Sequence, residues 1–131
     1  MAGGHRILIA EDDFALANVV RFNLEQAGLD VTWARNGQEA WRALQTAHFD
    51  LMVSDHEMPQ LTGVELCRQI RGAEAIAAMP VILLTAKSFE IDEQTLAELK
   101  LSALLPKPFS PRELVALVER CLENTVVSHA S

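Results

Sequence analysis

The stretch "DLMVSDHEMPQLTG", Asp50 to Gly63, decides how this chain folds. Its first part, "LMVS" (51–54), is a continuous apolar run of strand length with no polar alternation, the pattern of a strand covered on both faces. The run stops at Asp55, and Met58-Pro59 then bars direct passage into a helix. A helix becomes available only after Thr62, which has Glu65 three residues on in the spacing of a capping box. A carboxylate at the end of a buried strand is unfavourable unless it caps a helix, forms a turn, or is bound or used.

Outward from this stretch the same alternation recurs. Apolar runs at 6–10 (RILIA), 30–34 (DVTWA), 51–54, 80–85 (PVILLT) and 103–106 (ALLP) predict strands. Helix-period segments lie near 13–27, 37–47, 63–72, 90–99 and 110–123. Gly28 suits the end of the first helix, and Ser110, Pro111 and Glu113 the start of the last. Repeated βα units with continuous apolar strands predict an α/β, doubly wound (βα)5 fold with a five-stranded parallel sheet between helices. One domain is expected over 1–125, with a short C-terminal tail at 126–131.

Composition bounds the function. With 131 residues, half of them hydrophobic, the chain can bury a core without staples. A net charge of -7 argues against nucleic acid or an anionic membrane as direct partner. No apolar run approaches the roughly 20 residues of a membrane span, and the start "MAGGHRILIAEDD" lacks a cleavable signal pattern. Cys67 and Cys121 fall on apolar helix spacing and read as small buried hydrophobes in a reducing compartment. A cytoplasmic protein is the expectation.

In an open α/β sheet the site lies beyond the carboxyl ends of the strands. There the first strand carries Glu11, Asp12 and Asp13, the third Asp55, the fourth Thr85 and the fifth Lys107. Crowded carboxylates repel and are costly to desolvate without a cation. A hard ion such as Mg2+ (or Mn2+) resolves this with one or two carboxylates, waters and a phosphate oxygen. Asp12 and Asp55 are the expected direct ligands, with Glu11 reaching the ion through water as one arrangement. With Lys107 as point charge and Thr85 as hydroxyl donor, the rim suits an arriving phosphoryl group, for which Asp55 becomes a nucleophile. Each residue alone is commonplace; their convergence points to this chemistry.

The segments "ILIAEDD", "DLMVSDHEMPQLTG", "VILLTAKS" and "LLPKPFSPREL" resemble the receiver domain of two-component response regulators over about 6–123. The resemblance implies a flavodoxin-like, chemotaxis-regulator-like fold with strand order 2-1-3-4-5. It implies that Asp55 is the phosphoacceptor, that Glu11 and Asp12 form the acidic pair, and that the backbone carbonyl of Glu57 completes the metal shell. Thr85 would be the switch hydroxyl, Lys107 the phosphoryl contact, and the Lys107-Pro108 bond cis. Implied partners are a histidine kinase or histidine phosphotransfer protein and a downstream protein target. A homodimer formed on phosphorylation is a further implied outcome. The chain would be a phosphoacceptor switch and not an enzyme.

Some positions depart from the pattern. Receivers usually carry Tyr or Phe where this chain has Leu104, and the chain contains no Tyr. Either Leu104 simply packs in the fifth strand, or coupling to output is altered. Lys100-Leu101 replaces a common Gly-Ala, which predicts a reshaped end to the fourth helix. By the resemblance, Glu57 and Lys87 occupy variable positions that would flank the path of attacking water and so tune the acyl phosphate lifetime, and the two could pair across the site opening. His56 is expected to point away from Asp55. On the first helix, Ala15, Val19 and Phe22 form an apolar strip; by the resemblance it is a candidate kinase-docking surface, and the alternatives are packing against the last helix or an ordinary exposed Phe. Two other readings stand beside the switch. One is a degenerate receiver serving as a binding or dimerisation module. The other is an Asp-nucleophile phosphatase with Glu57 as acid/base, against which Met58-Pro59 and the lack of a cap insertion count.

Overall fold

The computed structural model describes residues 4–87 and 90–130, with side chains up to 123. In chain order the elements are β1 (Arg6–Ala10), α1 (Phe14–Gln26), β2 (Asp30–Ala34), α2 (Gly37–Thr46), β3 (Leu51–Asp55) and α3 (Gly63–Arg71). A 3-10 turn (Glu74–Ile76) precedes β4 (Val81–Thr85), α4 (Glu93–Leu99), β5 (Ala103–Pro106) and α5 (Pro111–Ala130). The strands form one parallel sheet in the order β2-β1-β3-β4-β5. The fold is the doubly wound, flavodoxin-like architecture expected from the sequence.

Strand chemistry follows position. β3 and β4 are buried along their whole length, whereas the edge strand β2 is largely half-exposed. Alternate residues feed two cores. Leu8, Met52 and Val81 meet Ala40 and Leu44 of α2, Leu66 and Ile70 of α3 and Leu99 of α4 on one face. Ile7, Val53, Ile82 and Leu84 meet Val20 and Leu24 of α1 and Leu114 and Val118 of α5 on the other. Each such buried Leu, Ile or Val contributes about 1.5–3 kcal/mol over its exposed state. Cys67 and Cys121 lie buried in different clusters, on opposite faces of the sheet. No helix among the described residues is long and apolar enough to cross a membrane.

The helix starts obey their capping chemistry. Thr62 and Glu65 form the full capping box of α3, and Ser110 and Glu113 exchange the same pair of bonds at α5. α4 begins later than the expected residue 90, because the Asp92 side chain accepts from Thr95 N–H and sets the N-cap there. α5 runs through Ala130, so its backbone occupies most of the expected tail, while residue 131 lies outside the described residues. The 3-10 turn has no counterpart in the apolar periodicity.

The end of α4 corrects one expectation. Lys100 does not reshape it: the residue takes the left-handed conformation (φ 51, ψ 47) that glycine usually supplies at a helix end. Arg71 supports this cap. Its guanidinium donates to the carbonyls of Leu99 (2.6 Å) and Lys100 (3.3 Å), and also to Ala77 (2.9 Å) and Met79 (2.8 Å). One side chain thus joins α3, the 3-10 turn and the exposed end of α4.

Candidate phosphoacceptor site

Parallel pairing of β1, β3 and β4 brings Glu11, Asp55 and Thr85 to one end of the sheet. Glu11 and Asp55 are each only 2 % exposed and Thr85 is fully buried, while Asp12 is exposed at the rim. Glu11, Asp12 and Asp55 each offer a carboxylate oxygen within 4.8 Å of the others. One Glu11 oxygen accepts from Asp13 N–H at 3.0 Å; the other is buried without a hydrogen-bond partner among the described residues. A buried bare carboxylate oxygen beside two more carboxylates fits a hard divalent cation. Asp13 belongs to a different task, since its side chain caps α1 through Leu16 N–H.

Electrostatics report the crowding. Burial pushes the Glu11 carboxyl up to about 7, helped by the neighbouring Asp55 charge and opposed by the Asp13 amide and Lys107. Burial likewise raises Asp55, and the Lys107 contact only partly offsets it. Lys107 Nζ pairs directly with Asp55 Oδ1 and lies 3.9 Å from Glu57 Oε1. Burial would lower the Lys107 ammonium, but Asp55, Glu11 and Glu57 outweigh it and hold it above the usual lysine range. Lys107 N–H also donates to the Thr85 carbonyl at 2.9 Å, tying the ends of β4 and β5 together, and the Lys107-Pro108 bond is cis.

The loop after Asp55 is built for close approach. Gly63, the first residue of α3, sits so near β3 that a Cβ would lie 2.5 Å from the Asp55 carbonyl oxygen and 2.9 Å from His56 Cα. His56 turns towards α3, where Nδ1 accepts from Val64 N–H at 3.3 Å. Gln60 takes a positive φ of 71° within the same loop.

Several placements were not legible in the sequence. The Glu57 carboxylate reaches β4, where it accepts the Thr85 hydroxyl and, at 3.0 Å, the Ala86 N–H. The expected Glu57–Lys87 pair is therefore not formed: Lys87 is exposed and its amide donates to Thr85 Oγ1 at 3.0 Å. Burial would raise the Glu57 carboxyl, but Thr85, Ala86 and Lys107 together hold it below the usual carboxylate range. Trp33 donates its indole N–H to the Glu11 carbonyl at 2.8 Å and meets the Phe14 ring edge-on. Phe14 joins the apolar strip of α1: it is 65 % exposed, Val19 44 % and Phe22 59 %. Ala15 is also exposed. Leu104 is half-buried on β5, in register with Leu83.

Comparison with known proteins agrees with this geometry. The model of the response regulator receiver domain matches residues 7–119. The alkaline phosphatase synthesis transcriptional regulatory protein PhoP of Bacillus subtilis is 36 % identical over 126 residues, covering 96 % of this chain and 52 % of its own. The chain thus spans about half the length of the curated relatives it matches. Among solved structures, the chemotaxis response regulator CheY4 of Vibrio cholerae superposes with a TM-score of 0.82 at 29 % identity, over 89 % of this chain and 98 % of that one. The receiver domain of a histidine kinase from Syntrophus aciditrophicus also superposes with a TM-score of 0.82, at 34 % identity over 92 % of each chain. With the acidic cluster, the buried Thr85 and the Lys107 contact already gathered at the strand ends, the chain belongs to the response regulator receiver family, the phosphoacceptor switches of two-component signalling.

Proposed function

We propose that Asp55 is the phosphoacceptor, taking a phosphoryl group from a phosphohistidine of a kinase or phosphotransfer protein. A carboxylate oxygen of Asp55 forms the new P–O bond as the P–N bond to the donor imidazole breaks, and that electron pair stays on the ring nitrogen. Glu11, Asp12, Asp55 and the Glu57 carbonyl would hold Mg2+ or Mn2+, which would supply positive charge against phosphoryl oxygens. Lys107 supplies a fixed positive charge at Asp55, and Thr85 a hydroxyl donor one strand away. The observation that carries this reading is the meeting of Glu11, Asp12 and Lys107 around one buried Asp55.

The phosphoryl group then biases the loops carrying Thr85 and Lys107, and a protein partner that prefers this state reads the change. The chain acts as a switch in the cytoplasm rather than as an enzyme turning over a separate substrate. The exposed strip of Ala15, Val19 and Phe22, beside the site on α1, is the proposed seat of the phosphodonor protein.

The test is incubation with Mg2+ and acetyl phosphate, followed by intact mass. A single phosphoryl adduct on the wild type and none on Asp55→Ala is expected. An equal adduct on both proteins removes Asp55 from the role. No adduct on either supports a degenerate binding module, and steady turnover of phosphate esters supports a phosphatase.

A further inference from the structure

Glu57 stands two residues beyond Asp55, yet its side chain is spent on β4. One carboxylate oxygen accepts the Thr85 hydroxyl, and the other accepts Ala86 N–H and lies 3.9 Å from Lys107 Nζ. A hydroxyl, a backbone amide and an ammonium are the donors that phosphoryl oxygens take when charge must be held without water. Lys107 already touches Asp55, so this donor set adjoins the carboxylate proposed to carry the phosphoryl group. A carboxylate is a smaller, singly charged ligand for the same donors. Thr85 is fully buried, and its oxygen also accepts from Lys87 N–H, so its hydroxyl proton is committed to Glu57.

We infer that Glu57 is an internal stand-in for the phosphoryl group. Its carboxylate holds Thr85, Ala86 and Lys107 in the unphosphorylated protein and has to vacate them when a phosphoryl group forms on Asp55. The inference rests on Asp55 being the acceptor. An arriving anion must break two hydrogen bonds and approach a fixed negative charge, so anion capture is weakened. Meanwhile Ala86, directly after β4, is held by Glu57 before any phosphoryl group arrives. Glu57 therefore acts as a positioning residue for Thr85 and as a competitor for its donors.

The experiment titrates trifluoroberyllate, with Mg2+ present, into the full chain and into Glu57→Ala, Glu57→Gln and Asp55→Ala. The Ala86 amide resonance is followed together with affinity. Glu57→Ala should bind the anion about tenfold more tightly, the scale of one charge-assisted hydrogen bond regained. Its Ala86 resonance should already be displaced before anion is added, and should converge with that of wild type once the site is filled. Glu57→Gln keeps an acceptor oxygen without the charge and should fall between the two. Unchanged or weaker affinity in Glu57→Ala, or an unmoved Ala86 resonance, overturns the inference. Identical behaviour of Glu57→Gln and Glu57→Ala would assign the effect to charge alone and also overturn it. Asp55→Ala that binds as well as wild type overturns the acceptor reading itself, whatever Glu57 does.

Discussion

Gly63 and Asp55 are in backbone contact: a Cβ on Gly63 would sit 2.5 Å from the Asp55 carbonyl oxygen and 2.6 Å from a methyl of Leu83. Neither the carbonyl nor the helix can retreat freely, since Gly63 N–H donates to the His56 carbonyl at 3.1 Å and Thr62 caps the helix behind it. Gly63→Ala should therefore cost about 1–3 kcal/mol, the range of overpacking a tight interior. A fall in the urea midpoint with an unchanged slope is the expected result. Because the clash falls on the residue proposed as the acceptor, the rate of acetyl phosphate labelling should fall as well. Wild-type stability would show that α3 slides away from β3 at no cost.

Glu11 predicts a pH dependence of stability in the absence of divalent metal. Its carboxyl is raised from 4.5 to about 7 in the folded chain, chiefly by burial. Between those pH values the folded state holds a proton that the unfolded state has released. Stability then falls as pH rises, by up to about 1.4 kcal/mol per pH unit, and levels off above about 7. Asp55, raised from its ordinary value of 3.8, acts with the same sign from a lower starting pH. Glu57 is lowered and Lys107 raised, which places their titrations outside this window. Denaturation at pH 5 and pH 7.5 in chelator should show the loss, and Glu11→Gln should flatten it. Millimolar Mg2+ should restore stability at pH 7.5, because the ion supplies the missing counter-charge.

Most of the framework was legible because it rests on short-range rules. Continuous apolar runs located every strand to within a residue, and the acids at their ends identified the rim. What stayed hidden depends on where one side chain reaches across the fold. Glu57 and Thr85 are 28 residues apart, and no spacing says that the carboxylate takes this hydroxyl instead of pairing with Lys87. The indole N–H of Trp33 on the Glu11 carbonyl follows only from the β1–β2 register. Lys100 reads by residue type as a departure, while its left-handed backbone carries a carbonyl bonded by Arg71, 29 residues away. The 3-10 turn and the late start of α4 carry no apolar stripe from which they could be read.

Leu104 sets the third prediction. It is half-buried on β5 opposite Leu83, where receivers usually carry an aromatic ring. An aliphatic side chain has neither the reach nor the polar tip of Tyr, so the movement proposed for Thr85 would have less to carry it to the surface. Leu104→Tyr should enlarge the change in amide hydrogen exchange over α4 and β5 that trifluoroberyllate produces, while leaving acetyl phosphate labelling of Asp55 intact. Equal changes in the two proteins would mean that the missing ring does not limit the switch.

Arg71 provides the last. Its guanidinium spans four backbone carbonyls on two segments, and those of Leu99 and Lys100 are orphan acceptors at the end of α4. Removing a charged donor from part-buried carbonyls costs about 1.5–3 kcal/mol. The loss should be local before it is global, because α4 is only seven residues long and buries only Leu99. Arg71→Ala should therefore raise hydrogen exchange in α4 well beyond that in β3 and β4, besides lowering the denaturation midpoint. Lys100→Gly acts in the opposite direction: the left-handed cap is relieved and about 0.5–1 kcal/mol is gained. If Arg71 is what makes the lysine tolerable, the two substitutions should couple. The double variant should lose less than the sum of the separate effects, and strict additivity would mean that the clamp and the strained cap are independent.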